Sequence, residues 1–191
     1  MSDTAQTPFT IKALDRASPA EALEMMDRIV ERSDWLAARA VTSRPFADAA
    51  TLAAWLEREL VGLPRQDAIL LLRAHPELAP PAPGEMTAAS QSEQGRLGLL
   101  DPTPEVARRL AALNAQYRSK HGFPFVIALH SQPDLDRVLA QFESRLAAPT
   151  AEELPRSLLE VVSVMKARLA RLLADAGPTD ASTHTTGDIA L

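Results

Sequence analysis

Histidine is the side chain whose charge changes closest to neutral pH, and His75 occupies a distinctive place in this sequence. It follows an apolar segment that ends at Leu72, and Pro76 comes directly after it. A proline disfavours the helical conformation of the residue before it, so we expect the helix to stop at His75. Two interpretations of the imidazole stay open. It either caps the end of the helix or transfers protons as a general acid or base.

A second polar cluster occupies residues 90–94, with the sequence Ser-Gln-Ser-Glu-Gln. Ser90, Glu93 and Gln94 are three and four positions apart, so they share one face of a helix. A hydroxyl, a carboxylate and an amide on one face could orient a polar heterocycle. Ser90 and Glu93 also have the spacing of a capping box, in which Ser90 would only begin the helix.

Arg168 lies at the edge of the apolar stripe of the last predicted helix. At about 100° per residue it falls beside the stripe rather than opposite it. The stripe consists of Leu158, Val161, Val162, Met165, Leu169 and Leu172. A boundary arginine commonly extends its charge into water. Its planar fork can also bind a carboxylate at two points, and both interpretations remain open.

Composition excludes several classes of function. The 191 residues contain no cysteine, which removes disulfides, thiolate catalysis and cysteine metal sites. The formal net charge of −5 argues against nucleic-acid binding. The histidines show no metal-ligand spacing, and no glycine-rich phosphate loop is present. The chain also lacks an apolar run of about 20 residues and a secretion signal. We therefore expect a soluble cytoplasmic protein without a metal and without a membrane partner.

The elements that must position these groups are predicted to be helices. Ser18, Pro19 and Glu21 form a capping box that opens a helix through Val30. Further helices are predicted to begin at Asp34, Asp48, Pro64, Ala88, Thr103, Pro133 and Thr150. The last of them is expected to use Thr150 and Glu153 as a capping box and to end at Asp175. The prediction is an all-α, compact, single-domain bundle of about eight helices.

The domain is predicted to cover residues 8–175, followed by a disordered tail over 176–191. Residues 76–86 form a proline-rich connection, and the helix after it is expected to run to about Leu100. The apolar segment 123–129 cannot be assigned to a strand or a helix by periodicity alone.

Several blocks of this sequence resemble the 2-oxo-4-hydroxy-4-carboxy-5-ureidoimidazoline (OHCU) decarboxylases. The blocks read His-Pro-Glu-Leu-Ala at 75–79, Thr-Ala-Ala-Ser-Gln-Ser-Glu-Gln at 87–94, Leu-Asn-Ala-Gln-Tyr at 113–117 and Gly-Phe-Pro-Phe-Val at 122–126. They occur in the family's order and at its approximate spacing. The resemblance extends to Trp35, to Arg-Pro-Phe at 44–46 and to Met-Lys-Ala-Arg-Leu at 165–169.

The resemblance implies a carboxy-lyase that converts OHCU to S-allantoin in urate degradation. The family is all-α, needs no cofactor and is usually homodimeric. Its catalytic positions match His75 and Glu93. Its substrate-binding positions match Pro76, Ser90, Gln91, Ser92, Glu93, Gln94, Phe125, Val126, Ile127, Ala128, Leu129 and Arg168. Departures from the family occur in the loop after Ala79 and at His121, where an aromatic residue is common.

The expected mechanism assigns a task to each group. His75 donates a proton to one face of the intermediate, and Glu93 orients His75 or binds the ureido group. Backbone N–H groups of residues 125–129 stabilise the enolate oxygen, and Arg168 pairs with an anionic or carbonyl end of the substrate. The imidazole, the Glu93–Gln94 pair and the guanidinium must then meet around one cavity. The alternative is a non-catalytic helical module that binds a protein or a metabolite.

Overall fold

The computed structural model describes residues 8–80 and 82–177, and within these ranges it contains nine α-helices and no β-strand. The helices are α1 (Ile11–Arg16), α2 (Pro19–Val30), α3 (Asp34–Thr42), α4 (Ala49–Val61), α5 (Arg65–Arg73), α6 (Ala88–Gly95), α7 (Pro104–His121), α8 (Leu135–Ala147) and α9 (Thr150–Asp175). The all-α prediction is confirmed. Helix α1 was not predicted, because its six residues are too short to show a helical period. Residues 178–191 of the predicted tail lie outside the described residues.

The long helix α9 organises the bundle, because it contacts α2, α4, α5 and α7. Its predicted stripe is buried at Leu158, Val161, Val162, Met165 and Leu169. Burial of such side chains supplies about 1.5–3 kcal/mol each. Arg168 lies beside this stripe, between Met165 and Leu169, and is buried together with it. No helix in the described part of the chain is long and apolar enough to cross a membrane.

Most predicted helix starts are confirmed by their caps. Ser18 and Glu21 form the capping box of α2. Asp48, Thr103 and Asp134 accept hydrogen bonds from the N–H groups three residues later, at the starts of α4, α7 and α8. The helix predicted from Asp34 is present, but Ser33 rather than Asp34 occupies the cap position.

The predicted capping box at Thr150 is wrong. Pro149 is the residue before α9, and Thr150 already lies inside the helix. Glu153 is fully buried and accepts a hydrogen bond from Arg145 Nε at 2.6 Å. A buried arginine without a counter-charge costs more than a helix cap contributes, so Glu153 pairs with Arg145 instead.

Two further segments differ from expectation or were left open. Helix α6 ends at Gly95 rather than near Leu100, because the chain turns at Gly98, which has a φ of +70°. Glycine adopts this left-handed conformation without steric cost. Residues 124–128 have no regular secondary structure, and they run into a short 3₁₀ turn at Leu129–Ser131.

Candidate active site

A cavity of about 50 Å³ lies where α5 ends, next to α6, α9 and the irregular segment 124–128. Its walls are Glu31, His75, Pro76, Leu78, Ser90, Glu93, Gln94, Phe125, Val126, Ile127, Leu129, Val164 and Arg168. The structure thus brings the imidazole, the Glu93–Gln94 pair and the guanidinium to one cavity. His75 also lines a second pocket of about 370 Å³, together with Arg73, Glu77 and Arg118.

The imidazole of His75 is fixed by the backbone of α5, the helix that ends two residues before it. Its Nδ1 lies 3.0 Å from the carbonyl oxygen of Leu71. A carbonyl oxygen can only accept, so Nδ1 carries the hydrogen and Nε2 keeps its lone pair. Burial lowers the pKa of His75. The hydrogen bond to Leu71 and the negative charge of Glu31 raise it, but the effect of burial is larger. The ring is therefore neutral near pH 7.

Arg168 forms the electrostatic centre of the cavity wall. Its Nε and one terminal nitrogen each donate to one oxygen of Glu93 at 2.9 Å, in a parallel fork. The other terminal nitrogen donates to Glu31 at 2.7 Å. Burial alone would lower the pKa of Arg168, but the two carboxylates raise it. The side chain is only 6% exposed, so Arg168 does not extend into water.

The hydroxyl of Ser90 points at Glu31, not at the start of its helix. It lies 3.0 and 3.1 Å from the two carboxylate oxygens. Thr87 is the residue that caps α6, and its hydroxyl also donates to Glu31. The capping interpretation of Ser90 and Glu93 is therefore wrong.

Gln94 fixes the loop that follows His75. Its amide oxygen accepts from Ala79 N–H at 2.8 Å, and its amide nitrogen donates to the carbonyl of Glu77 at 2.9 Å. The carboxamide of Asn114 donates to Leu78 in the same loop. Gln94 thus shapes the cavity by holding backbone.

A buried cluster on α8 and α9 holds the segment 125–129. Arg145 is fully buried and donates to the carbonyl of Val126 at 2.9 Å. Its guanidinium also lies 4.6 Å from the ring centroid of Phe125. Glu160 accepts the N–H of Ala128 at 2.9 Å. Both polar contacts tie the backbone of this segment to α8 and α9.

Three of the sequence-predicted residues do not line the cavity. Gln91 donates to the carbonyl of Met86, Ser92 is exposed, and Ala128 directs its N–H to Glu160. Conversely, sequence reasoning missed three residues of the cavity wall, Glu31, Leu78 and Val164. No local signal marks Glu31, because its partners are 56 to 137 positions away along the chain.

Comparison with known proteins gives a consistent set of relatives. The family model described as OHCU decarboxylase matches residues 15–170. The 2-oxo-4-hydroxy-4-carboxy-5-ureidoimidazoline decarboxylase of Haloferax volcanii is 32% identical over 162 residues, which cover 85% of this chain and 95% of that protein. The Bos taurus protein of the same description is 36% identical over 157 residues, covering 81% and 92%.

Two solved structures have the same fold. A crystal structure of (S)-allantoin synthase matches with a TM-score of 0.64 at 24% identity, over 87% of this chain and 54% of that chain. This chain thus spans about half the length of that solved protein. A crystal structure of OHCU decarboxylase in the presence of (S)-allantoin matches with a TM-score of 0.61 at 20% identity, over 80% and 99%.

Proposed function

The chain belongs to the OHCU decarboxylase family, and we propose from this premise that His75 and the groups around its cavity carry out the reaction. The protein is a carboxy-lyase that decarboxylates OHCU to S-allantoin in urate degradation. A non-catalytic binding module, the alternative that the sequence left open, gains no support from these relatives. The observation that carries the residue assignment is the convergence of His75, Glu93 and Arg168 on one cavity.

His75 begins the reaction as a base. In the neutral ring Nε2 keeps a lone pair, because the hydrogen is on Nδ1 and is donated to the carbonyl oxygen of Leu71. It can therefore accept the proton of the substrate's 4-hydroxyl group as the bond to the carboxylate breaks. The electron pair left by CO2 spreads into the conjugated ring of the substrate. The imidazolium then returns a proton to the ring carbon, on the one face that it can reach.

The carboxylate of the substrate is expected to face the apolar part of the cavity. Phe125, Leu129 and Val164 supply that wall. A carboxylate is poorly solvated where apolar side chains replace water, whereas neutral CO2 is not. Exclusion of water therefore destabilises the carboxylate relative to CO2 and favours cleavage of the bond between them. Alignment of the breaking bond with the ring system contributes through positioning.

Glu93 and Arg168 recognise the polar end of the substrate as a unit. Each carboxylate oxygen of Glu93 accepts from Arg168 but has further lone pairs. These can accept the N–H groups of the ureido chain. Arg168 fixes the plane of this carboxylate through the two-point fork, so that the acceptor directions are set before the substrate arrives.

The N–H of Ile127 is the best donor for the developing enolate oxygen. In an extended segment, the polar groups of alternate residues point in the same direction. The carbonyl of Val126 and the N–H of Ala128 are directed to Arg145 and Glu160. Ala128 has an extended backbone, and Ile127 lies on the cavity wall. This supports an Ile127 N–H that points into the cavity, as an oxyanion donor must.

We also propose that the protein works as a homodimer in the cytoplasm. The family resemblance supports the dimer, and the absence of cysteine is compatible with a reducing compartment. Sedimentation of the purified protein should give twice the mass of one chain, and a chain-sized particle would contradict the dimer. Fractionation of the producing cells should place the protein in the cytosol, and recovery from another fraction would contradict that compartment.

Circular dichroism tests the activity directly. Urate is oxidised by uricase and hydrolysed by hydroxyisourate hydrolase, and this protein is then added. The dichroic signal of S-allantoin should appear faster than in the spontaneous reaction, which yields a racemate. A signal that develops no faster with the protein than without it would refute the decarboxylase activity.

A further inference from the structure

Glu31 occupies an unfavourable position in the fold. It follows the last residue of α2, where the helix carries partial negative charge and a carboxylate is disfavoured. Its backbone φ is +27° and that of Arg32 is +53°, values that non-glycine residues rarely adopt. A local structure that costs free energy persists only where surrounding contacts fix it.

The contacts that fix Glu31 come from two other helices. Its carboxylate accepts hydrogen bonds from Thr87 and Ser90 at the start of α6, and from Arg168 on α9. The side chain is 9% exposed and lines the cavity. The N-terminus of α6 attracts a carboxylate, so the contact is favourable on that side. Glu31 thus links α6 to α9 at the cavity wall.

Charge balance alone does not require Glu31. Glu93 already neutralises Arg168 through a two-point fork, and the additional carboxylate leaves the trio with a net charge of −1. The Glu31 contact instead occupies the guanidinium nitrogen that the fork leaves over. With all three nitrogens hydrogen-bonded, the plane of the guanidinium cannot rotate. The carboxylate of Glu93, which is paired with it in the fork, is therefore fixed as well.

We propose that Glu31 is a positioning residue for the decarboxylation. It holds Arg168 and helix α6 in the arrangement that presents Glu93 to the substrate. This inference deepens the proposed function and rests on the assignment of Arg168 and Glu93 to the substrate site. Neither the family resemblance nor the comparisons assign a role to Glu31.

The matched variants are Glu31→Gln and Glu24→Gln. Both make the same chemical change at α2 or its end, but Glu24 is exposed and lies outside the cavity wall. In Glu31→Gln, KM should rise and kcat/KM should fall about 10-fold or more. Glutamine carries no charge and offers one acceptor oxygen, where Thr87, Ser90 and Arg168 now share two. Glu24→Gln should behave as the unaltered protein does.

The pH profile separates positioning from folding. His75 faces the charges of Glu31, Arg32 and Arg168. Arg73, Glu77 and Arg118 line the second pocket beside it. Loss of the Glu31 charge lowers the pKa of His75 further, so the acid limb of kcat/KM should move to lower pH in Glu31→Gln. A kcat that falls only with the folded fraction, at unchanged KM and unchanged acid limb, would overturn the proposal.

Ser90→Ala provides a second test that leaves every charge in place. It removes one donor to Glu31, so KM should rise about 3-fold or more at an unchanged acid limb. The double variant with Glu31→Gln should be no worse than Glu31→Gln alone, because Ser90 acts through Glu31. Fully additive losses would contradict this. If Glu31→Gln does not fold, an unchanged KM of Ser90→Ala at a retained melting temperature overturns the proposal.

The experiments distinguish three failures. An unaltered protein that does not accelerate S-allantoin formation refutes the activity. An active protein whose Arg168→Lys variant keeps normal kinetics refutes the assignment of Arg168. An impaired Arg168→Lys variant together with a normal Glu31→Gln variant refutes the role of Glu31 alone.

Discussion

The Nδ1–H of His75 donates to the carbonyl oxygen of Leu71, four residues earlier, at 3.0 Å. This single contact caps the end of α5 and also fixes the tautomer of the ring. The two interpretations that the sequence left open are therefore compatible. The capping contact is what leaves Nε2 with its lone pair, as a base at this position requires.

Replacement of His75 by asparagine should reduce kcat about 10²-fold or more. The asparagine amide can still donate to the Leu71 carbonyl, but it cannot accept and return a proton. The rate of S-allantoin formation, followed by circular dichroism, measures the effect. Thermal unfolding serves as the control, because the variant should keep its fold. Turnover close to normal would remove His75 from the mechanism.

The pH dependence of kcat/KM should show an acid limb below pH 6.5, the pKa of an ordinary histidine. Burial lowers the pKa of His75. The neutral ring is the active form, so activity is lost only as the pH falls through this lowered pKa. With substrate prepared separately and added, kcat/KM at pH 6.5 should exceed half of its plateau value. A midpoint at or above pH 6.5 would contradict a neutral His75 as the starting state.

The sequence predicted those features that depend on local pattern. The apolar stripe of α9 and the box formed by Ser18 and Glu21 are examples. The same box pattern gave a wrong prediction at Ser90 and at Thr150, because contacts between elements compete for the side chains. Ser90 donates to Glu31, 59 positions away, and Glu153 pairs with Arg145 on the preceding helix. Glu93 pairs with Arg168, 75 positions away. A charge that is being buried needs its counter-charge, and this requirement exceeds the contribution of a helix cap.

Residue type and spacing indicated His75, Ser90, Glu93, Gln94 and Arg168 as candidates but left their roles open. The resemblance to a family assigned those roles, and it added Pro76 and the segment 125–129. Neither residue spacing nor the family resemblance indicated Glu31. It lies outside the resembling blocks, and its contacts form only where α2, α6 and α9 meet. Such a residue becomes visible only when the fold brings its partners together.

Arg168→Lys should lower kcat/KM about 10²-fold. Lysine keeps the charge but cannot hold Glu93 in a two-point fork and Glu31 at the same time. We expect both a higher KM and a lower kcat, because the acceptor directions of Glu93 are no longer fixed. Arg171→Lys is the matched control, since Arg171 lies on the same helix and is exposed. Equal kinetics of the two variants would contradict the role of Arg168.

Glu160 should matter through the backbone it holds. In Glu160→Ala the N–H of Ala128 loses its acceptor, and the segment that carries Ile127 is freed to shift. We expect kcat to fall about 10-fold, because a misplaced oxyanion donor costs transition-state stabilisation. Glu160→Gln keeps an oxygen acceptor and should retain most of the activity. If the two variants lose activity equally, the Glu160 contact does not position the segment.

Arg145→Met should destabilise the fold by about 3–5 kcal/mol, because it leaves Glu153 buried without a counter-charge. Both side chains are 0% exposed, and Arg145 Nη2 lies 2.5 Å from Glu153 Oε1. The double variant Arg145→Met with Glu153→Gln should recover part of this loss, since no buried charge remains in that pair. Denaturant unfolding of both variants measures the difference. A double variant less stable than Arg145→Met would show that the cluster is held together by something other than this ion pair.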